Sequence, residues 1–266
     1  MIADVPATDA LLLTARDRGV ARVTLNRPER FNPLSSAMIA ALQAELDAIA
    51  GDPHVRAVVL GANGRGFCAG HDLKEMRAHV GDKAWQRRLF DDCSRMMLAL
   101  TRLPQPVIAR VQGIATAAGC QLVSMCDLAV AAETATFALP GVNIGVFCST
   151  PAVGVSRNVG RKRAMELLLT GEPVSAHVAL DWGLVNRVVT AVELDRAVAH
   201  FTDIILARSP AAVRIGKATF YQQVDRGLAD AYDVASESMA CNLLLDDAAE
   251  GMDAFLGKRP AHWLGK

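Results

Sequence analysis

The 266-residue sequence predicts a mixed α/β fold, with a β/α core over residues 1–200 and a helical subdomain over 201–266. Three observations carry this reading. Short apolar runs, such as Val55–Leu60 and Val107–Val111, alternate with segments whose apolar residues recur at helical spacing. Two of these runs open into stretches rich in glycine and small residues, as strands do when they feed a site. Beyond Val192 only the helical period remains.

Composition narrows the function classes. The chain is 52% hydrophobic and 21% charged with formal net charge +0, which gives no hint of nucleic-acid or membrane attraction. Aromatic content of 5% weakens a base-stacking role. The cysteines Cys68, Cys93, Cys120, Cys126, Cys148 and Cys241 show no C-x-x-C spacing and read as free thiols of a reducing compartment. The start, Met1 to Pro6, lacks a basic n-region and an apolar h-region, and no apolar run reaches membrane-span length. A cytoplasmic location is therefore expected. The histidines lack H-E-x-x-H spacing, so no metal site is expected.

Taken in order, Leu11–Ala15 and Val20–Leu25 flank Asp17-Arg18-Gly19 as a hairpin. Asn26 to Pro33 is a loop by its prolines and asparagines. Ser35 or Ser36 caps a helix carrying Ile39, Leu42, Leu46 and Ile49, which Asp52-Pro53 ends. Val55–Leu60 is the next strand, buried on both faces over Ala57–Leu60; strand, helix and strand make a parallel crossover. Gly61 to Met76 reads as a ligand loop or a structural turn, matching neither a phosphate loop nor a dinucleotide fingerprint. A helix from Asp82 to Leu103 puts Leu89, Cys93, Met96, Leu100 and Leu103 on one face. The strand Val107–Val111 leads into Ile114–Cys120, a turn without charge, and then a helix whose free N–H groups suit an oxyanion. Tight helix–sheet packing demands the same small residues. Leu128–Ala131, Thr136–Ala138 and Val185–Val189 are short strands, and Pro140 to Pro151 is a second uncharged loop. Gly154-Val155-Ser156 falls short of a nucleophile elbow, lacking its last glycine and a preceding strand. Gly160 to Arg163 reads as a solvated helix end before the helix Ala164–Leu169. Leu194, Val198, Phe201 and Ile205 share a helix face, and Pro210, Gly227 and Gly251 punctuate the later helices. The chain shows no repeat.

Five segments in register then carry a likeness: N-R-P-E-R-F-N, F-C-A-G-H-D-L-K-E-M, G-I-A-T-A-A-G-C-Q-L, F-A-L-P-G-V-N-I-G and F-L-G-K-R-P. Together they resemble the enoyl-CoA hydratase/isomerase (crotonase) superfamily over nearly the whole chain. The resemblance implies a ββα spiral core, a coenzyme A thioester as substrate with no bound cofactor, and a homotrimer or homohexamer. It implies an oxyanion hole from the backbone N–H groups of His71 and Ala118. It implies contacts to coenzyme A from Arg30, Phe31, Lys74, Phe255 and Lys258.

Two positions depart from the family pattern. Where family hydratases carry two glutamates, this chain has Gln121 and Gly141. Neither can accept or deliver a proton at neutral pH, and each lost general acid or base costs about 10² to 10⁴ in rate. Cys148, Ser149 and Asp72, with the His71 side chain, are the remaining candidates for the acyl pocket. Three activities stay open: an acyl-CoA enzyme using other residues, a decarboxylase of a malonyl-type CoA, and a non-catalytic acyl-CoA-binding protein.

Overall fold

The computed structural model describes residues 10–266; the expectation for Met1 to Pro6 lies outside them. Strands β1 (Leu12–Asp17) and β2 (Val20–Leu25) form a hairpin. Its two-residue loop, Arg18-Gly19, has φ of +44° and +83°, the positive pair that matches the twist of the flanking strands. Helix α1 (Ser36–Ala50) starts at Ser35, whose Oγ accepts from the Met38 N–H. Next come β3 (Ala57–Ala62), β4 (Gly66–Cys68), α2 (Leu73–Ala78) and α3 (Lys83–Arg102). They are followed by β5 (Val107–Val111), β6 (Ile114–Thr116), α4 (Ala118–Ser124), β7 (Leu128–Ala132), β8 (Thr136–Ala138) and α5 (Ser149–Val155). After α6 (Arg161–Thr170), β9 (Val174–Ser175), α7 (Ala176–Asp181) and β10 (Arg187–Val189), the chain is helical. The closing helices are α8 (Leu194–Leu206), α9 (Pro210–Gln223), α10 (Leu228–Leu243) and α11 (Asp246–Leu256).

The strands divide between two sheets. A six-stranded sheet has the order β1-β2-β3-β5-β7-β10 and is parallel except for its first pair. A four-stranded sheet has the order β4-β6-β8-β9. A structural repeat follows from this division. β3, β5 and β7 each lie in the large sheet, the next strand crosses to the small sheet, and a helix returns the chain. This is the ββα spiral, and no sequence repeat announces it, because each unit packs different side chains.

The large sheet is covered on both faces, so its strands alternate between two cores. Val58, Leu60, Val107, Ala109, Ala129 and Ala131 face the main core with α1 and α3. Val59, Ile108, Val130 and Ala132 face Leu194, Val198, Phe201 and Ile205 of α8. Helix α8 runs through residue 200, so the expected division between core and helical part falls inside an element that covers the sheet.

Several expected boundaries move for local reasons. The strand expected from Val55 begins at Ala57, since Val55 N–H still bonds Asp52 O in the preceding turn. The expected loop Gly61–Met76 contains β4 and the start of α2; Phe67 and Cys68 are fully enclosed and β4 pairs with β6. Part of the expected small-residue turn, Ile114–Thr116, is itself that second-sheet strand. The loop Pro140–Pro151 holds a 3-10 turn (Pro140–Ile144) and the first turn of α5. Ser156 is the exposed end of α5, which agrees with discarding a nucleophile elbow. Arg161, Lys162 and Arg163 are the exposed first turn of α6 rather than a flank before it. Gly251 does not punctuate a helix but lies within α11, where a Cβ would stand 3.2 Å from the Trp263 ring.

The helical end is tied to the core by a buried charge. Lys217 Nζ donates to Asp127 Oδ2 at 2.6 Å and to the Leu100 and Gln105 carbonyls at 2.9 Å each. Asp127 also accepts from Val107 N–H at 2.7 Å and Tyr221 O–H at 2.9 Å. Removing one partner of such a pair strands the other charge out of water. Lys217→Met is therefore expected to lower the unfolding free energy by about 3 kcal/mol, measured by urea denaturation; a loss near zero would show that α9 is not held this way.

Candidate active site

A cavity of about 650 Å³ opens where strands β4, β6 and β8 of the small sheet lead into helical turns. His71, Leu73 and Met76 reach it from the β4–α2 corner, and Ala117 and Ala118 from the start of α4. Arg87, Phe90, Asp91 and Ser94 reach it from α3, and Pro140 to Pro151 closes the far wall. Most of this lining is apolar.

The sequence sets up the meeting of His71 and Ala118 through glycines. A Cβ on Gly119 would stand 2.1 Å from the Cys68 carbonyl oxygen, so only glycine lets α4 lie against β4. Gly70, at φ +90°, brings its Cα close enough that a Cβ would sit 3.3 Å from the Ala118 nitrogen. Ala117, at φ +50° and ψ −120°, turns β6 sharply into α4. For an alanine this backbone is strained, and such strain persists only where the surroundings enforce it. As the first helical residue, Ala118 has no partner for its N–H within the helix. The parallel bridge between Leu34 and residue 71 uses Gly70 O and Asp72 N–H and leaves the His71 N–H out. Two peptide N–H groups thus stand together at the cavity without acceptors among the described residues.

Residues 15–266 match the sequence profile of the family described as enoyl-CoA hydratase/isomerase. The chain belongs to the enoyl-CoA hydratase/isomerase family. It is 45% identical over 253 residues to the Xenopus laevis enoyl-CoA hydratase domain-containing protein 3, mitochondrial, covering 95% of this chain and 86% of that one. The crystal structure of a Mycobacterium smegmatis enoyl-CoA hydratase is 55% identical, with a TM-score of 0.94 over 96% of this chain and 99% of that one. The crystal structure of the human enoyl-CoA hydratase domain-containing protein 3 is 42% identical, with a TM-score of 0.93 over 96% and 100%. The fold is the crotonase fold. By its name the Xenopus relative is mitochondrial, whereas the expectation for this chain is the cytoplasm. No described helix is long and apolar enough to cross a membrane.

In this enoyl-CoA hydratase/isomerase family member, the expected site residues divide. His71, Ala118, Gly141, Cys148 and Ser149 all line the cavity. Gln121 is one turn further along α4, buried, with its Oε1 unpartnered and outside the lining. Asp72 is a helix cap rather than a wall, its Oδ1 accepting from the Lys74 and Glu75 N–H groups of α2. Arg30, Phe31, Lys74, Phe255 and Lys258 also lie outside the lining. Phe31 is engaged in packing, with the Arg65 guanidinium 4.7 Å over its ring and Gly66 against its edge. Phe255 is 84% exposed. Sequence reasoning missed the α3 wall. Arg87, Phe90, Asp91 and Ser94 recur at three- and four-residue spacing, so a second stripe beside the Leu89–Cys93–Met96 face carries the signal.

Position 141 is closed to larger side chains. A Cβ there would stand 2.4 Å from the Val146 carbonyl oxygen and 2.8 Å from Cys148 Sγ. The loop is wound around a glycine, and a carboxylate would need the loop rebuilt. Burial pushes the Cys148 thiol up, so it rests protonated.

Burial also dominates at His71, pushing its imidazolium down to about 4, with nearby Glu75 acting weakly the other way. The neutral ring is thus the folded form, while the unfolded chain binds a proton near pH 6.5. Stability from this group is complete above the unfolded value and is lost as pH falls from there toward 4. Denaturant unfolding between pH 7 and 4 should show this decline, and His71→Gln should flatten it. An unchanged slope in the variant would mean that other groups cause it.

Proposed function

We propose that this protein binds a coenzyme A thioester and stabilises its enolate, while ordinary hydration of an enoyl-CoA is disabled. The reading rests on the paired N–H groups of residues 71 and 118, at a largely apolar cavity and without competing acceptors among the described residues. Donors held there cost nothing to orient when charge develops on a thioester oxygen. In known enzymes one such donor is worth roughly 2.7–4 kcal/mol. Arg30, Phe31, Lys74, Phe255 and Lys258 would lie along the coenzyme A moiety, outside the acyl cavity. The Xenopus relative's name, with that of the Mycobacterium smegmatis protein, supports the ligand class.

Hydration needs a proton taken from water and another delivered to carbon. Gln121 offers an amide and Gly141 no side chain, and the packing around Gly141 favours keeping it so. Calorimetry with acetyl-CoA and crotonyl-CoA should show saturable binding, while absorbance of the conjugated crotonyl thioester should fall only very slowly. Absence of heat with either ligand would sink the coenzyme A reading. Rapid hydration by the unmodified protein would sink the account of Gln121 and Gly141.

The protein is further proposed to assemble as a trimer or hexamer. Leu244, Phe255 and Leu256 are 86%, 84% and 78% exposed in the single chain, a costly display of apolar surface on adjoining helices. Light scattering at micromolar concentration should give three or six chain masses; a monomer would refute it.

A further inference from the structure

The enolate reading leaves open which group removes the proton that makes an enolate. The titratable side chains lining the cavity are His71, Arg87, Asp91 and Cys148. Arg87 and Asp91 satisfy one another on α3, with Arg87 Nε 2.8 Å from both carboxylate oxygens. The Cys148 thiol is packed on Gly141 and held protonated. Ser94, Ser149 and Thr150 bring only hydroxyls. His71 is different. Its side chain is half-buried in the cavity wall, ring edge-to-face with Phe90 at a centroid distance of 5.3 Å. Its Nε2 is enclosed and meets no hydrogen-bond partner among the described residues, whereas Nδ1 is not enclosed in this way.

We propose that the His71 imidazole is the base that takes the α-proton of a bound acyl thioester, with Nδ1 receiving it. In this step the Cα–H bond breaks and an N–H bond forms. The electron pair moves into the Cα–C bond as the carbonyl π pair shifts to oxygen, where the N–H groups of residues 71 and 118 hold it. The imidazolium N–H exchanges with solvent, and delivery of a solvent-derived proton back to carbon restores both thioester and imidazole, so no reactant besides water is needed. The inference rests on the coenzyme A reading above.

The electrostatics suit the step. Glu75 on α2, the neutral Arg87–Asp91 pair on α3 and the Cys148 thiol on the far wall are the charged or titratable groups around the ring. A resting imidazole held neutral by burial is fully available as a base at pH 7. With a conjugate acid near 4, it matches an ordinary carboxylate in proton affinity. An enolate beside it would stabilise the imidazolium as it forms. Residue 71 would then supply both an oxyanion donor, from its backbone, and a base, from its side chain. This would place a proton-transfer group at the cavity of a chain that carries Gln121 and Gly141 at the family's glutamate positions.

The test is hydrogen exchange at Cα of butyryl-CoA in D₂O, read by mass spectrometry, with calorimetry of the same ligand alongside. The wild-type protein should introduce deuterium faster than buffer does. His71→Gln keeps the backbone N–H, so butyryl-CoA should still bind, while exchange should fall by about 100-fold or more. His71→Ala should regain part of its exchange when imidazole is added to the buffer, which a purely structural histidine would not allow. Binding without exchange in the wild type, or exchange by His71→Gln at the wild-type rate, would overturn the assignment of the base alone. Failure of butyryl-CoA to bind the wild type would overturn the coenzyme A reading and this inference with it.

Discussion

Backbone against backbone, at Gly119 and Cys68, is the contact on which the site depends. Any side chain at 119 would enter the Cys68 carbonyl, so the first turn of α4 can lie on β4 only through glycine. That approach sets the Ala118 N–H beside the β4–α2 corner, and Gly70 repeats the device from the other side. Gly113, whose Cβ would stand 2.0 Å from the Arg65 carbonyl oxygen, does the same where β5 crosses into β6. Helix α4 and the β5–β6 crossing therefore pack on the β4 segment at positions with no side chain at all, beside residues 71 and 118 of the cavity wall.

Around this seam the energetics are those of a sheet enclosed on both faces. Alternate residues of β3, β5 and β7 bury against α1 and α3 on one side and against α8 on the other. Each fully buried Val, Leu or Ile contributes about 1.5–3 kcal/mol relative to leaving it exposed. The Asp127–Lys217 pair adds position more than net stability, because desolvation offsets much of its attraction. Its worth lies in satisfying the Leu100 and Gln105 carbonyls and Val107 N–H while fixing where the middle of α9 meets the end of α3.

The cavity that results has donors in place but few proton carriers. The second loop is wound tightly on Gly141, and Gln121 is folded into α4 with a buried amide oxygen. Both arrangements are well packed for the residues present. A change of side chain at 141 would have to carry the Val146 carbonyl and the Cys148 thiol with it, so that position belongs to the architecture of the loop. The imidazole of His71 differs in being packed without being satisfied: its Nε2 has no hydrogen-bond partner among the described residues.

The sequence by itself determined much of the local structure. The hairpin at Arg18-Gly19, the Ser35 cap, the buried run Ala57–Leu60 and the α3 face through Leu89 and Leu100 follow from turn chemistry and periodicity, which are local. The family likeness of their surrounding segments singled out His71, Ala118 and Gly141, which the structure brings to one cavity. Tertiary structure alone decided the rest. β4, β6 and β9 span only two or three residues each, too short for any period to show, and become strands through pairing, β4 with β6 and β9 with β8. Gly251 turned from a break into a seat for Trp263, a neighbour beyond the end of its helix; Asp72, by contrast, became a cap through the local N–H groups of Lys74 and Glu75. The α3 wall of the cavity became a wall only when α2 and the Pro140–Ile144 turn were set opposite it. Contacts of that kind depend on distance in space, and a single sequence records only distance along the chain.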